Sequence, residues 1–110
     1  MAELDRPFKD TMQGIVKADG TLSLKFGPQA NNMWDVKQVT LEMPTAPAGS
    51  RAEIRVMGAL VAPSYSARRA SASGDPPIFL YGGETATVEW INCTPGDIGI
   101  IWWSYKKELY

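Results

Sequence analysis

Hydrophobic positions alternate with polar ones in short runs along this chain, and Gly, Pro and Asn cut the runs. Residues 21–26 set the pattern: Leu22, Leu24 and Phe26 fall on one side, Thr21, Ser23 and Lys25 on the other. A period of two marks a half-buried strand. Asp19-Gly20 just before it is the strongest short hairpin signal in the sequence, and joins it to a weaker strand over residues 11–17. Gly27-Pro28 ends it.

The next run, residues 33–43, changes parity part-way. Trp34 and Val36 share one parity; Val39, Leu41 and Met43 have the other. The switch predicts a β-bulge, or a strand crossing between sheets, near Lys37. Residues 44–50 read as a loop. Residues 51–61 alternate again, with Ala52, Ile54, Val56 and Leu60 opposite Arg51, Glu53 and Arg55. Residues 63–77 read as the longest irregular stretch, carrying Arg68-Arg69 and closing on Gly74-Asp75-Pro76-Pro77. A short apolar strand over 78–81 and a Gly82-Gly83 turn follow. Residues 84–91 set Ala86, Val88 and Trp90 against Thr85, Thr87 and Glu89. After a turn at 94–97, the last strand, 98–105, is apolar on both faces.

Seven or eight short strands without a helical stripe predict an all-β fold. The expected architecture is a single antiparallel β-sandwich, jelly-roll or immunoglobulin-like, over residues 11–110. A charged N-terminal arm over 1–10 precedes it.

Length and composition narrow the function. A chain of 110 residues makes one domain. Eleven Lys and Arg against twelve Asp and Glu give a net charge of -1. That balance argues against nucleic-acid binding, which calls for a basic excess or stripe. With no histidine, Ser-His-Asp and Cys-His catalysis and His-ligated metals are excluded. One cysteine permits neither an internal disulfide nor a Cys-cluster zinc site. No apolar run is long enough to span a membrane, and the first residues lack the apolar region of a secretory signal. The lone cysteine fits synthesis in a reducing cytoplasm.

The last strand is the most unusual segment. Alternation puts Ile98, Ile100 and Trp102 on one face and Ile101, Trp103 and Tyr105 on the other. Only one face of a sandwich strand meets the core. The second needs another cover: a segment of the same chain, a partner subunit, or a sugar stacked on the aromatics. Aromatic anchors are enriched at protein interfaces. Trp34 and Trp90, with Val and Ala neighbours, read as core, where an indole N–H needs a partner.

The carboxylates Asp35, Glu42, Glu53, Asp75, Glu84, Glu89 and Asp97 are the candidates for acid–base work. A glycosidase needs two of them flanking a cleft, and no spacing favours a pair. Glu42, Glu53 and Glu89 read as a solvated outer face; Asp75 and Asp97, beside Gly or Pro, read as turn formers. No catalytic, cofactor-binding or metal-ligating residue is assigned, and no enzyme is expected. Short matches at 68–71, 44–47 and 92–94 read as structural. Arg68 and Arg69 read as an exposed loop tip that touches a partner or an anionic surface. Cys93 reads as a small buried residue.

One ordered set of motifs goes further. Gly27-Pro28 is followed by Trp34-Asp35-Val36-Lys37-Gln38-Val39-Thr40, then Arg55-Val56-Met57-Gly58 and Val61-Ala62-Pro63-Ser64. Gly83-Glu84-Thr85-Ala86-Thr87-Val88-Glu89-Trp90 and Thr94-Pro95-Gly96 close it. From Gly20 onward this order resembles a family of small virion proteins of tailed phages, particularly those of actinobacterial hosts. The resemblance implies a non-enzymatic β-sandwich on the phage particle, as a head decoration, head-fibre or neck component made in the host cytoplasm. Its expected partners are the major capsid protein or another virion protein, and further copies of itself, a trimer first. The interface candidates are Trp102, Trp103, Tyr105 and Tyr110, with Arg68 and Arg69. Leu4, Arg6 and Phe8 are the anchoring candidates in an arm that orders on binding. The alternative is a glycan-binding module for host-surface recognition, using exposed aromatics and the 63–77 loop.

Overall fold

Each strand of this protein finds its partner by a nested rule: first with last, second with second-last, and so inward. A computed structural model describes residues 8–28, 31–56 and 59–109, with side chains outside 59–65, 73–77 and 108–109. The strands are β1 (Phe8–Ile15), β2 (Leu22–Phe26), β3 (Asn32–Glu42), β4 (Arg51–Val56), β5 (Ala59–Ser66), β6 (Arg69–Tyr81), β7 (Ala86–Ile91) and β8 (Ile98–Leu109). They form two four-stranded antiparallel sheets, ordered β1-β8-β3-β6 and β2-β7-β4-β5. Thus β1 pairs with β8, β2 with β7, β3 with β6 and β4 with β5. A long hairpin rolled up in this way is the eight-stranded jelly roll. The immunoglobulin alternative, with its seven-strand ABED and CFG sheets, does not fit.

The alternating runs build the core between the sheets. Leu22, Leu24 and Phe26 of β2 are buried while Ser23 and Lys25 between them are exposed. Trp90, Val88, Ile54, Leu80 and Ile101 are almost completely buried. The Trp90 indole donates to the Ala67 carbonyl across 3.1 Å, which supplies the partner a buried indole needs.

The parity switch in β3 is a bulge. Its register against both β6 and β8 shifts between Val36 and Gln38, leaving Lys37 as the extra residue. The bulge lets Val36 and Val39 both face the core.

Two sequence expectations change. The run expected over 51–61 is two strands, with Arg55 opposite Leu60 and Val56 opposite Ala59. The stretch expected to be irregular, 63–77, lies largely in β5 and β6, and Ala67-Arg68 alone separates them. Its alternation is carried by small residues: Ala70 and Ala72 pack inward, while Arg69 and Ser71 face out. Such a pattern carries little hydropathy contrast. Pro76 and Pro77 are tolerated because β6 is the outermost strand of its sheet. They fall where its register against β3 jumps from Ser73 to Ile78. Asp75 accordingly lies within a strand, not in a turn.

Candidate functional site

Strand β8 runs between β1 and β3, so its outward side chains form the midline of one sheet's outer surface. The register arranges that surface in rungs. At one end Ile15 lies opposite Ile98. Next come Gln13, Ile100, Glu42 and Arg69, then Thr11, Trp102, Thr40 and Ser71, then Lys9, Ser104 and Gln38. The surface therefore grades from apolar at the Ile15–Ile98 end to polar at the bulge.

Both ends of this gradient are open to solvent. Ile15 is 63% exposed and Ile98 47%. Trp102, in the polar part, is 40% exposed. Beside it lies an open depression of about 250 Å³ lined by Lys9, Gln38, Thr40, Trp102, Trp103 and Ser104. The flanking hydroxyls are held in place. Thr11 donates to the Ile101 carbonyl at 3.0 Å, and the Thr40 and Ser71 hydroxyls lie 3.0 Å apart. Glu42 and Arg69 form an ion pair at 3.6 Å across the neighbouring rung.

The aromatic residues expected at an interface divide between the two faces of β8. Trp102 is outward and exposed. Trp103 and Tyr105 are not surface residues: each is only 6% exposed. Trp103 stacks on Phe26 of the opposite sheet, ring centroids 4.4 Å apart, and its Nε1 is buried with no hydrogen-bond partner among the described residues. Tyr105 stacks on Trp34 at 4.0 Å and on Phe8 at 5.5 Å. Its hydroxyl donates to the Asp10 carboxylate at 2.8 Å. Burial, reinforced by the Asp10 hydrogen bond and charge, pushes the phenol up to about 12. Alternation places these side chains inward with Ile101, so they serve the core rather than an interface.

Leu4, Arg6 and Tyr110 lie outside the described residues. Phe8, placed in the arm by sequence, opens β1 opposite Tyr105, and Lys9 and Asp10 continue the pairing. Arg68 and Arg69 do not act as one tip. Arg68 turns back, its Nε donating to the Ala46 carbonyl at 2.8 Å. Arg69 belongs to β6 and pairs with Glu42 beside the Trp102 rung.

The structure also brings together residues the sequence did not single out. Lys9, Gln38, Thr40 and Ser104 come from three strands and meet only through the β1-β8-β3 pairing. The parity switch in β3 was the available signal, because it turns Gln38 and Thr40 outward. On the other sheet Glu53 lies opposite Glu89. Glu53 was expected on a solvated face but is only 9% exposed, paired with Arg55 at 2.8 Å. Glu89 accepts from the Ser23 hydroxyl at 3.3 Å. Cys93 is buried, and burial raises its thiol above the ordinary range.

No family model and no curated protein sequence matches the chain. Among solved structures, FlhE is similar at 12% identity with a TM-score of 0.50, over 92% of this chain and 96% of that one. The Drosophila NLP core superimposes at 11% identity and a TM-score of 0.42, covering 91% of this chain and 97% of its own. A family 35 carbohydrate-binding module from Clostridium thermocellum gives 11% identity and a TM-score of 0.41, covering 93% and 92%. The FlhE likeness shows a shared fold and nothing further.

Proposed function

We propose that this chain is a non-enzymatic structural protein of a tailed-phage particle, attached through the apolar Ile15–Ile98 end of the outer face of the β1-β8-β3-β6 sheet. The observation that carries the reading is the Ile15–Ile98 pair, 63% and 47% exposed, with Ile100 on the next rung. Isoleucines side by side on an outermost strand and its neighbour form an apolar patch. Proteins that work alone blunt such edges with charge, because they invite association. The order of motifs from Gly20 onward supports a virion setting. The jelly roll is compatible with it as an architecture shared by capsid and lectin domains, which is analogy at the level of fold. The partner is the major capsid protein or another virion protein, and copies of the chain associate about a cyclic axis, a trimer first.

Quantitative mass spectrometry of purified particles tests the reading. The chain is expected at a fixed ratio to the major shell protein. Particles stripped of it are expected to rebind the wild-type protein and not the Ile15→Lys, Ile98→Lys double variant. Absence of the chain from particles, or undiminished rebinding by the double variant, overturns the proposal.

A further inference from the structure

We propose that the depression at the β3 bulge is a saccharide site that takes a single pyranose ring against Trp102. The proposal goes beyond the virion reading and does not depend on it. Its first support is the placement of Trp102. The indole is 40% exposed on the outward side of β8, so much of its surface adds nothing to the core behind it. An exposed aromatic face is a platform for the C–H face of a sugar ring, which combines apolar contact with weak polar attraction to the π-system.

The second support is the chemistry of the wall. Four of the lining side chains are polar: Lys9, Gln38, Thr40 and Ser104. The ammonium only donates, the hydroxyls donate and accept, and the amide does both from separate atoms. Sugar hydroxyls require that mixture of donors and acceptors around an apolar centre. A protein anchor or a lipid chain would instead need a continuous apolar floor. That floor lies two rungs away, at Ile15 and Ile98.

Size and rigidity are the third support. At about 250 Å³ the depression is smaller than a drug-sized ligand site, which runs about 300–1,000 Å³. It has room for one ring, not for a buried chain of rings. Strand β3, whose bulge shapes it, is paired on both sides, to β6 and to β8. The backbone of the site is therefore formed before binding, and ordering on association is confined to side chains such as Lys9 and Gln38.

Titration of the ¹⁵N-labelled full chain, followed by NMR, tests the proposal. The probes are gluco-, manno-, galacto- and glucuronic-acid-containing tetrasaccharides, with an oligothymidylate as the competing class of stacking ligand. One of the sugars is expected to shift the Trp102 indole, the Gln38 amide and the Ser104 backbone together, at an affinity on the order of 1 mM. Trp102→Ala is expected to weaken binding at least about tenfold, while Trp102→Phe keeps a platform and most of the affinity. If Trp102→Ala does not fold, Gln38→Ala supplies the second test and is expected to weaken binding severalfold. The Ile15→Lys, Ile98→Lys variant is expected to bind sugar as wild type does, so failure of the particle reading and failure of this one are separable. No shift with any sugar, shifts that survive both Trp102→Ala and Gln38→Ala, or site shifts from the oligothymidylate alone would each overturn the proposal.

Discussion

Tyr105 on β8 and Asp10 on β1 share a hydrogen bond of 2.8 Å, which ties the outermost strand of one sheet to a residue of the core. The Tyr105 ring lies against Trp34 and Phe8 and is 6% exposed. Ionising it would place a phenolate in a desolvated site beside a carboxylate. That is why its pKa rises to about 12, against roughly 10 for an unfolded tyrosine. The native value is the higher one. Its contribution is therefore complete below about pH 10 and is lost as pH rises through about 12. Tyr105→Phe is expected to be less stable than wild type by about 1 kcal/mol at pH 8, and that lead is expected to vanish and then reverse between about pH 10 and 12, because wild type alone loses stability there. Urea unfolding of both proteins across that range checks it. A gap that stays constant would assign the cost of the substitution to packing instead.

Trp90 anchors the opposite sheet and the β5–β6 crossover at once. It is fully buried, and its Nε1 donates to the Ala67 carbonyl at 3.1 Å. Trp90→Phe removes that donor and leaves part of the indole volume empty. An unsatisfied buried carbonyl costs about 1–3 kcal/mol, and the cavity adds to it. A loss of about 3 kcal/mol or more in urea unfolding is expected. A loss below about 1 kcal/mol would mean that Ala67 finds another donor.

The contrast between these two aromatics shows what the sequence made legible. Strands with strong polarity contrast, such as Leu22–Phe26 and Ala86–Ile91, are readable from alternation because burial follows hydropathy there. The parity switch at Lys37 is readable for the same reason, and the structure places the bulge there. In β6 the inward residues include Ala70 and Ala72, which contrast weakly in hydropathy with Ser71 between them. Its strand character comes from pairing with β3, a long-range contact that no local window contains. The same limit applies to the candidate site. Alternation alone separates Trp102 from Trp103 and Tyr105. Which of the two faces meets the core depends on the partner sheet, where Phe26 waits for Trp103. Of the polar companions of Trp102, Lys9 and Gln38 lie 95 and 66 positions before Ser104 in sequence.

Gly27 is fixed by close approach rather than by its backbone angle. A Cβ built there would lie 2.1 Å from the Glu84 carbonyl oxygen and 3.3 Å from the Thr85 Cα, both backbone atoms. The β2 and β7 ends would have to separate to admit it. Gly27→Ala is expected to cost about 3 kcal/mol or more, or to prevent folding. Gly49 is the control: its φ is +88° and nothing lies within 4 Å of a built Cβ. Gly49→Ala therefore meets only backbone strain, about 1–2 kcal/mol. Thermal unfolding of the two variants should separate them clearly, and equal losses would show that the 27–84 approach relaxes.

The Ile15–Ile98 patch allows association to be separated from folding. Both side chains point away from the core, and they lie directly opposite each other on β1 and β8. Replacing them with lysine removes little buried area from the monomer. Surface changes of this kind usually alter stability by no more than about 0.5 kcal/mol. Lysine on an outermost strand also opposes strand-to-strand association, because two copies would bring like charges together. The double variant is expected to keep the unfolding midpoint of wild type. In sedimentation velocity the wild type is expected to run as an oligomer and the variant as a monomer at the same concentration. Raising the salt concentration is expected to restore part of the association, since screening weakens the added repulsion. If wild type and variant sediment alike, the isoleucines do not join copies of the chain, and the patch is left to the shell contact alone.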